Sequence, residues 1–113
     1  MTPESVARIV ERGDGAGFVD SLRAADVEFE DADFEASLAA VLRAEPQLTG
    51  QWQTWSGGQR WTPSAFVEGA VTGWYDAGVR TVRVHPDEAG AVADFIHRMA
   101  AWLARREVVT RAQ

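Results

Sequence analysis

Along the first fifty residues the apolar positions recur at helical spacing. Thr2-Pro3-Glu4-Ser5 places a cap residue before a proline at the first helical position, with an acid in the first turn. Val6, Ile9 and Val10 follow as a short apolar stripe, and Gly13-Asp14-Gly15 stops it. A second short helix is predicted from about Ala16 to Ala25, with Phe18, Val19, Leu22 and Ala25 on one face. Val27-Glu28-Phe29-Glu30 alternates apolar and acidic, the pattern of a brief extended segment or a linker. Asp31 or Asp33 then caps a third helix. Phe34, Leu38, Val41 and Leu42 fall at i, i+4, i+7 and i+8, and Pro46 ends the run.

The pattern changes at Gln51. Trp52, Trp55 and Trp61 flank Gly57-Gly58, which reads as the two-residue turn of a β-hairpin. In that register Trp55 opposes Arg60, Thr54 opposes Trp61 and Trp52 opposes Pro63. Trp52, Thr54 and Trp61 then share one face, and Trp55 and Arg60 share the other. Thr62-Pro63 repeats the start signal of the first helix. A fourth helix is predicted over about Ser64 to Asp76, with Phe66, Val67, Ala70, Val71, Trp74 and Tyr75 on a broad apolar face. Gly69 and Gly73 in it would let another element approach closely, and Gly78 would close it. Val79 to Val84 reads as a strand. His85-Pro86-Asp87-Glu88 starts the last helix, in which Val92, Phe95, Ile96, Met99, Trp102 and Leu103 form a long stripe. Arg105 and Arg106 suit its C-terminal dipole, and fraying is expected from about Val108.

The predicted order is α-α-α-β-β-α-β-α. The strands are too few and too local for a doubly wound sheet. The fold class that follows is α+β: a small, mostly antiparallel sheet made of a hairpin plus one strand, covered by helices, with a group of short helices at the N-terminus. A chain of 113 residues is expected to form a single domain over 1–113. An apolar content of 46% argues against disorder.

Charge divides the chain. Residues 1–50 hold 11 acids against four arginines, a net −7, and residues 51–113 hold six acids against seven, a net +1. This layout disfavours nucleic acid as a partner, because phosphates need a basic footprint. There is no cysteine and no lysine, so thiolate ligands, cysteine nucleophiles and lysine Schiff-base chemistry are ruled out. Neither a basic leader followed by an apolar core nor a membrane-length apolar run occurs. The expected location is the cytoplasm, with no membrane contact, or export by a route that leaves no readable signal.

Candidate chemistry is sparse. Asp26, Glu28, Glu30, Asp31, Asp33 and Glu35 fall within ten residues, read either as a docking surface for a basic protein or as a solvated loop with helix capping. A calcium loop fails on spacing, with no glycine at the sixth position from Asp26 and Ser37 at the twelfth. His85 ends a strand, where functional groups are often carried. Asp94 and His97 read as an exposed helix pair, on the side away from the Phe95-Ile96-Met99 stripe. Gly57-Gly58 is not a phosphate loop. Trp74 and Trp102 are expected in the core, while Trp55 is the tryptophan expected to face solvent beside Arg60. No cofactor or metal is implied.

Two functions fit. One is a protein-interaction module, of the immunity or antitoxin kind, occluding a basic partner through Glu28, Glu30, Asp31 and Asp33 with Trp55 and Arg60 as anchors. A phage or other assembly subunit would show similar features. The other is a small ligand-binding protein or enzyme with a pocket near the tryptophan hairpin, lined by Trp55, Arg60, Trp74, Tyr75 and His85. A homo-oligomer through the last helix is open.

Overall fold

The structure, a computed structural model, describes residues 2–12, 15–28, 30–57, 65–76 and 79–112. Thr2 caps α1 (Pro3–Ala7) as its signal predicts, its hydroxyl accepting the Ser5 N–H at 3.1 Å. The chain tightens into a 3-10 turn (Arg8–Arg12), then forms α2 (Gly15–Ala24) and α3 (Ala32–Ala44). Of the two candidate caps for α3, Asp31 is used: its carboxylate accepts the Phe34 N–H at 3.0 Å.

Pro46 ends α3 and also starts the next helix, which departs from the hairpin expectation. Residues 46–57 form α4 (Pro46–Gly57). The strand expected over 51–56 is therefore absent, and the pairings proposed for Trp52, Thr54 and Trp55 do not form. The physical reason is burial on a helical face. Leu48 and Trp52, four apart, are fully buried, and the Trp52 indole N–H donates to the Ala7 carbonyl at 2.8 Å. The indole also meets Phe95 edge-on at 6.4 Å. The Thr49 hydroxyl closes the end of α3 by donating to the Leu42 carbonyl at 3.2 Å.

The fourth predicted helix is instead the hairpin. β1 (Ala65–Glu68) and β2 (Val71–Asp76) pair antiparallel around Gly69-Ala70, and β3 (Val79–Val84) adds to β2, giving the order β1-β2-β3. Both glycines have a specific use here. Gly69 turns the chain at φ 58°. Gly73 lies under the Phe66 ring, where an added Cβ would sit 2.2 Å from ring carbons. The Gln53 side chain of α4 brackets the turn, donating to the Gly69 carbonyl at 3.0 Å and accepting its N–H at 3.3 Å.

The last helix, α5 (Glu88–Ala112), runs on as helix through the stretch expected to fray. Asp87 caps it by accepting the Gly90 N–H at 2.9 Å. Arg43 of α3 grips the same carboxylate at 2.7 and 3.2 Å. α5 is the spine of the fold. It packs on α3, α2 and α4, and on the inner side of the sheet, where the Thr72 hydroxyl donates to the Ala91 carbonyl at 3.0 Å. Val6, Ile9, Leu22, Leu38, Trp52 and Phe95 join in one buried cluster. Trp102 is half-buried against it, whereas Trp74 sits half-buried on β2 and not on a helix. The fold is α+β with a small antiparallel sheet, as expected; the residues that build the hairpin differ. No helix among the described residues is long and apolar enough to cross a membrane.

Candidate functional site

The link between α2 and α3 carries most of the acidic run. Leu22 and Val27 are buried and anchor it, while Asp26 takes a φ of 50°, a left-handed conformation that aspartate tolerates. Asp26, Glu28, Glu30, Asp31 and Asp33 are all exposed. Glu28 and Asp33 form no ion pair among the described residues. The Glu28 carbonyl accepts the Asp31 N–H at 3.2 Å, and the Glu30 carbonyl accepts the Ala32 N–H at 2.9 Å. Val27, Glu28 and Glu30 lie in no strand, and Phe29 lies outside the described residues.

This loop is pinned from below by α5. His97 Nε2 stands 2.7 Å from the Glu28 carbonyl, and His97 Nδ1 stands 3.0 Å from a Glu35 carboxylate oxygen. A carbonyl oxygen only accepts, so Nε2 must carry a proton. An ionised carboxylate also only accepts, so Nδ1 must carry one too. The ring is thus an imidazolium with both N–H groups engaged. Hydrogen bonding to Glu35 holds the His97 pKa above its ordinary value against the opposing effect of burial. The same bond holds Glu35 below the usual carboxylate range. The Phe34 ring lies 5.8 Å from the imidazole.

One turn earlier on α5, Asp94 is 1% exposed. One of its oxygens meets His85 Nε2 at 3.0 Å, and the other accepts Arg98 Nε at 2.9 Å. The Arg98 guanidinium lies 3.6 Å above the centre of the Trp74 indole, in cation–π contact. The chain His85–Asp94–Arg98–Trp74 therefore ties the end of β3, α5 and β2 together. Asp94 and His97 are not the exposed helix pair expected. α5 is apolar on nearly every side between Ala91 and Ala101, so a polar residue there is buried and must find a partner.

Between these two groups a cleft of about 200 Å³ is lined by Glu30, Ala32, Glu35, Arg83, Asp94, His97 and Arg98. Its charges largely answer one another within hydrogen-bond distance. No nucleophile adjoins a base in it, and no group of three His, Asp or Glu among the described residues could hold a metal ion.

Of the residues expected to bind a partner, Glu28, Glu30, Asp31 and Asp33 are exposed in the α2–α3 loop and the first turn of α3. Arg60 and the side chain of Trp55 lie outside the described residues, as does the side chain of Tyr75. From the alternative pocket, Trp74 and His85 are brought together, but only through Arg98 and Asp94. Sequence reasoning missed Glu35, Arg83, Asp94, His97 and Arg98 as a cluster. The all-round apolar character of 91–101 was the signal that would have flagged the last three. Comparison with protein-family models, with curated proteins and with solved structures returned no match to this chain.

Proposed function

We propose that this protein is an interaction module that docks on a basic partner protein through its α2–α3 loop. The observation that carries the reading is the loop with the start of α3: five exposed carboxylates, on a backbone that His97 meets at the Glu28 carbonyl. Clustered like charge steers a basic partner into encounter and disfavours acidic ones. A loop already held in shape loses less conformational freedom on binding than a floppy one. This suits an inhibitor that covers a basic cleft, in the manner of an immunity protein or antitoxin. Among the described residues the ligand-binding reading has less behind it: the cleft beside His97 is smaller than ordinary ligand pockets, roughly 300–1,000 Å³, and its polar groups are largely paired.

The test is a comparison. Tagged wild-type chain and the Glu28→Arg/Glu30→Arg variant are used to capture partners from native lysate under washes of rising salt. A basic protein retained by the wild type, released by salt and lost by the variant, with the melting temperature unchanged, supports the proposal. Equal capture by both proteins removes it.

A further inference from the structure

β3 is an edge strand in which every residue from Arg80 to Val84 is exposed. Val82 and Val84, at 48% and 74%, are the large apolar residues most open to solvent among the described residues. The backbone polarity of the strand follows from one bond. The His85 N–H donates to the Ala70 carbonyl at 2.8 Å, continuing the β2–β3 ladder. Backbone groups alternate in an antiparallel ladder, so Arg83 and Thr81 also face β2, and Arg80, Val82 and Val84 turn their N–H and C=O groups to the open edge. At the other edge of the sheet, α4 lies against β1.

Charge distinguishes this edge from the rest of the molecule. Arg80 and Arg83 stand on it with no acid between them, in a chain of net charge −6. Arg80 shares the outer face with Val82 and lies 5.1 Å from the Phe66 ring centre. Arg83 shares the inner face with Thr72 and lines the cleft. Neither forms a salt bridge with a described residue, although Arg83 acts on Glu35 across the cleft.

We propose that the open edge of β3 receives an extended acidic segment of a partner protein as a fourth, antiparallel strand. Main-chain bonds at Arg80, Val82 and Val84 hold the segment, and side chains on alternate faces select it. The register sets the pattern. An apolar residue stands opposite Val82 and another, two positions earlier, opposite Val84. An acid between them meets Arg83, and a second acid, two positions after the first apolar residue named, meets Arg80. A second copy of the chain is the poorer occupant, because its β3 carries no acid to answer Arg80 or Arg83 and both bodies carry net negative charge. The edge adjoins the acidic loop, since Arg83 lines a cleft with Glu30 and Glu35, but its main-chain groups are not those of the loop, and the peptide test reads them independently of the function proposed above.

The probe is a labelled peptide containing Val-Glu-Val-Thr-Glu, read by fluorescence anisotropy on the full chain. Its partners are the same peptide with lysine for glutamate and a scrambled version. The acidic peptide is expected to bind at least about tenfold tighter than either control. Bound peptide should slow amide exchange at Arg80, Val82 and Val84. Val82→Pro removes an outward N–H that the monomer does not use, a tolerated change at an edge, and should abolish binding. Arg80→Glu with Arg83→Glu should reverse the preference toward the lysine peptide, which decides the matter if Val82→Pro fails to fold. No binding of the acidic peptide, equal binding of all three, or unchanged binding in folded Val82→Pro would each overturn the proposal. So would self-association of the wild type that disappears in Val82→Pro, which would assign the edge to a second copy.

Discussion

At the scale of single residues, His97 has the widest reach. It spans from α5 to Glu35 on α3 and to the loop backbone at Glu28. Its pKa is raised in the fold, so the stability it contributes is fully present below its ordinary value near 6.5 and is lost as pH rises through the raised value. Glu35 is lowered, so its contribution is present above its ordinary value near 4.5 and is lost as pH falls through the lowered value. Melting temperature measured against pH should therefore decline in the wild type as pH rises above the ordinary histidine value near 6.5, and His97→Gln should flatten that part of the profile. In Glu35→Gln the His97 ring should titrate closer to its ordinary value, as followed by NMR of the imidazole protons. Trp52 is the second such residue. Trp52→Phe keeps most of the apolar contact but leaves the Ala7 carbonyl without its indole partner, a cost of about 1–3 kcal/mol. Trp52→Ala adds a cavity and should cost about 3–5 kcal/mol by chemical denaturation.

At the scale of elements, local signals located ends well and types less well. Thr2, Asp31 and Asp87 each cap a helix by a bond to a backbone N–H three residues on, chemistry that is complete within one turn. α3, β3 and the start of α5 were legible for that reason. The segments 46–57 and 64–76 exchanged roles. Phe66, Val67, Val71, Trp74 and Tyr75 recur at a spacing a helix would accept, yet all are also good strand formers, and the Gly69-Ala70 turn lets them pair. Gly73 gives a direct check. Gly73→Ala should displace the Phe66 ring and with it the Arg80 contact, destabilising the fold by about 1–3 kcal/mol. If the stretch were helical, the same change would stabilise it by about 1 kcal/mol. A denaturation curve reads the sign.

At the scale of the whole molecule, the uneven charge has a kinetic consequence. An acidic loop fixed on one side of the chain should speed association with a basic partner at low ionic strength, and the rate should fall steeply as salt screens it. Dissociation should change far less. Stopped-flow association at several salt concentrations checks this once the partner is in hand, and a flat salt dependence would count against the docking loop. The acids of that loop were identified in the sequence by density alone. The histidine that holds them was not, because Glu35 and His97 are 62 residues apart.

The amino-acid sequence by itself determined the starts of α1, α2, α3 and α5, the charge division, the exclusion of cysteine and lysine chemistry, and the α+β class. Each of these depends on composition or on contacts within a turn or two. Only the tertiary structure decided which apolar segment became helix and which became hairpin, since both periods fit and the choice rests on burying Trp52 against Ala7 and Phe95. It also decided the partners of Asp94 and His97. Buried polar groups are satisfied by whatever the fold brings within about 3 Å, and these partners come from segments that meet only when α5 takes its place between the helices and the sheet.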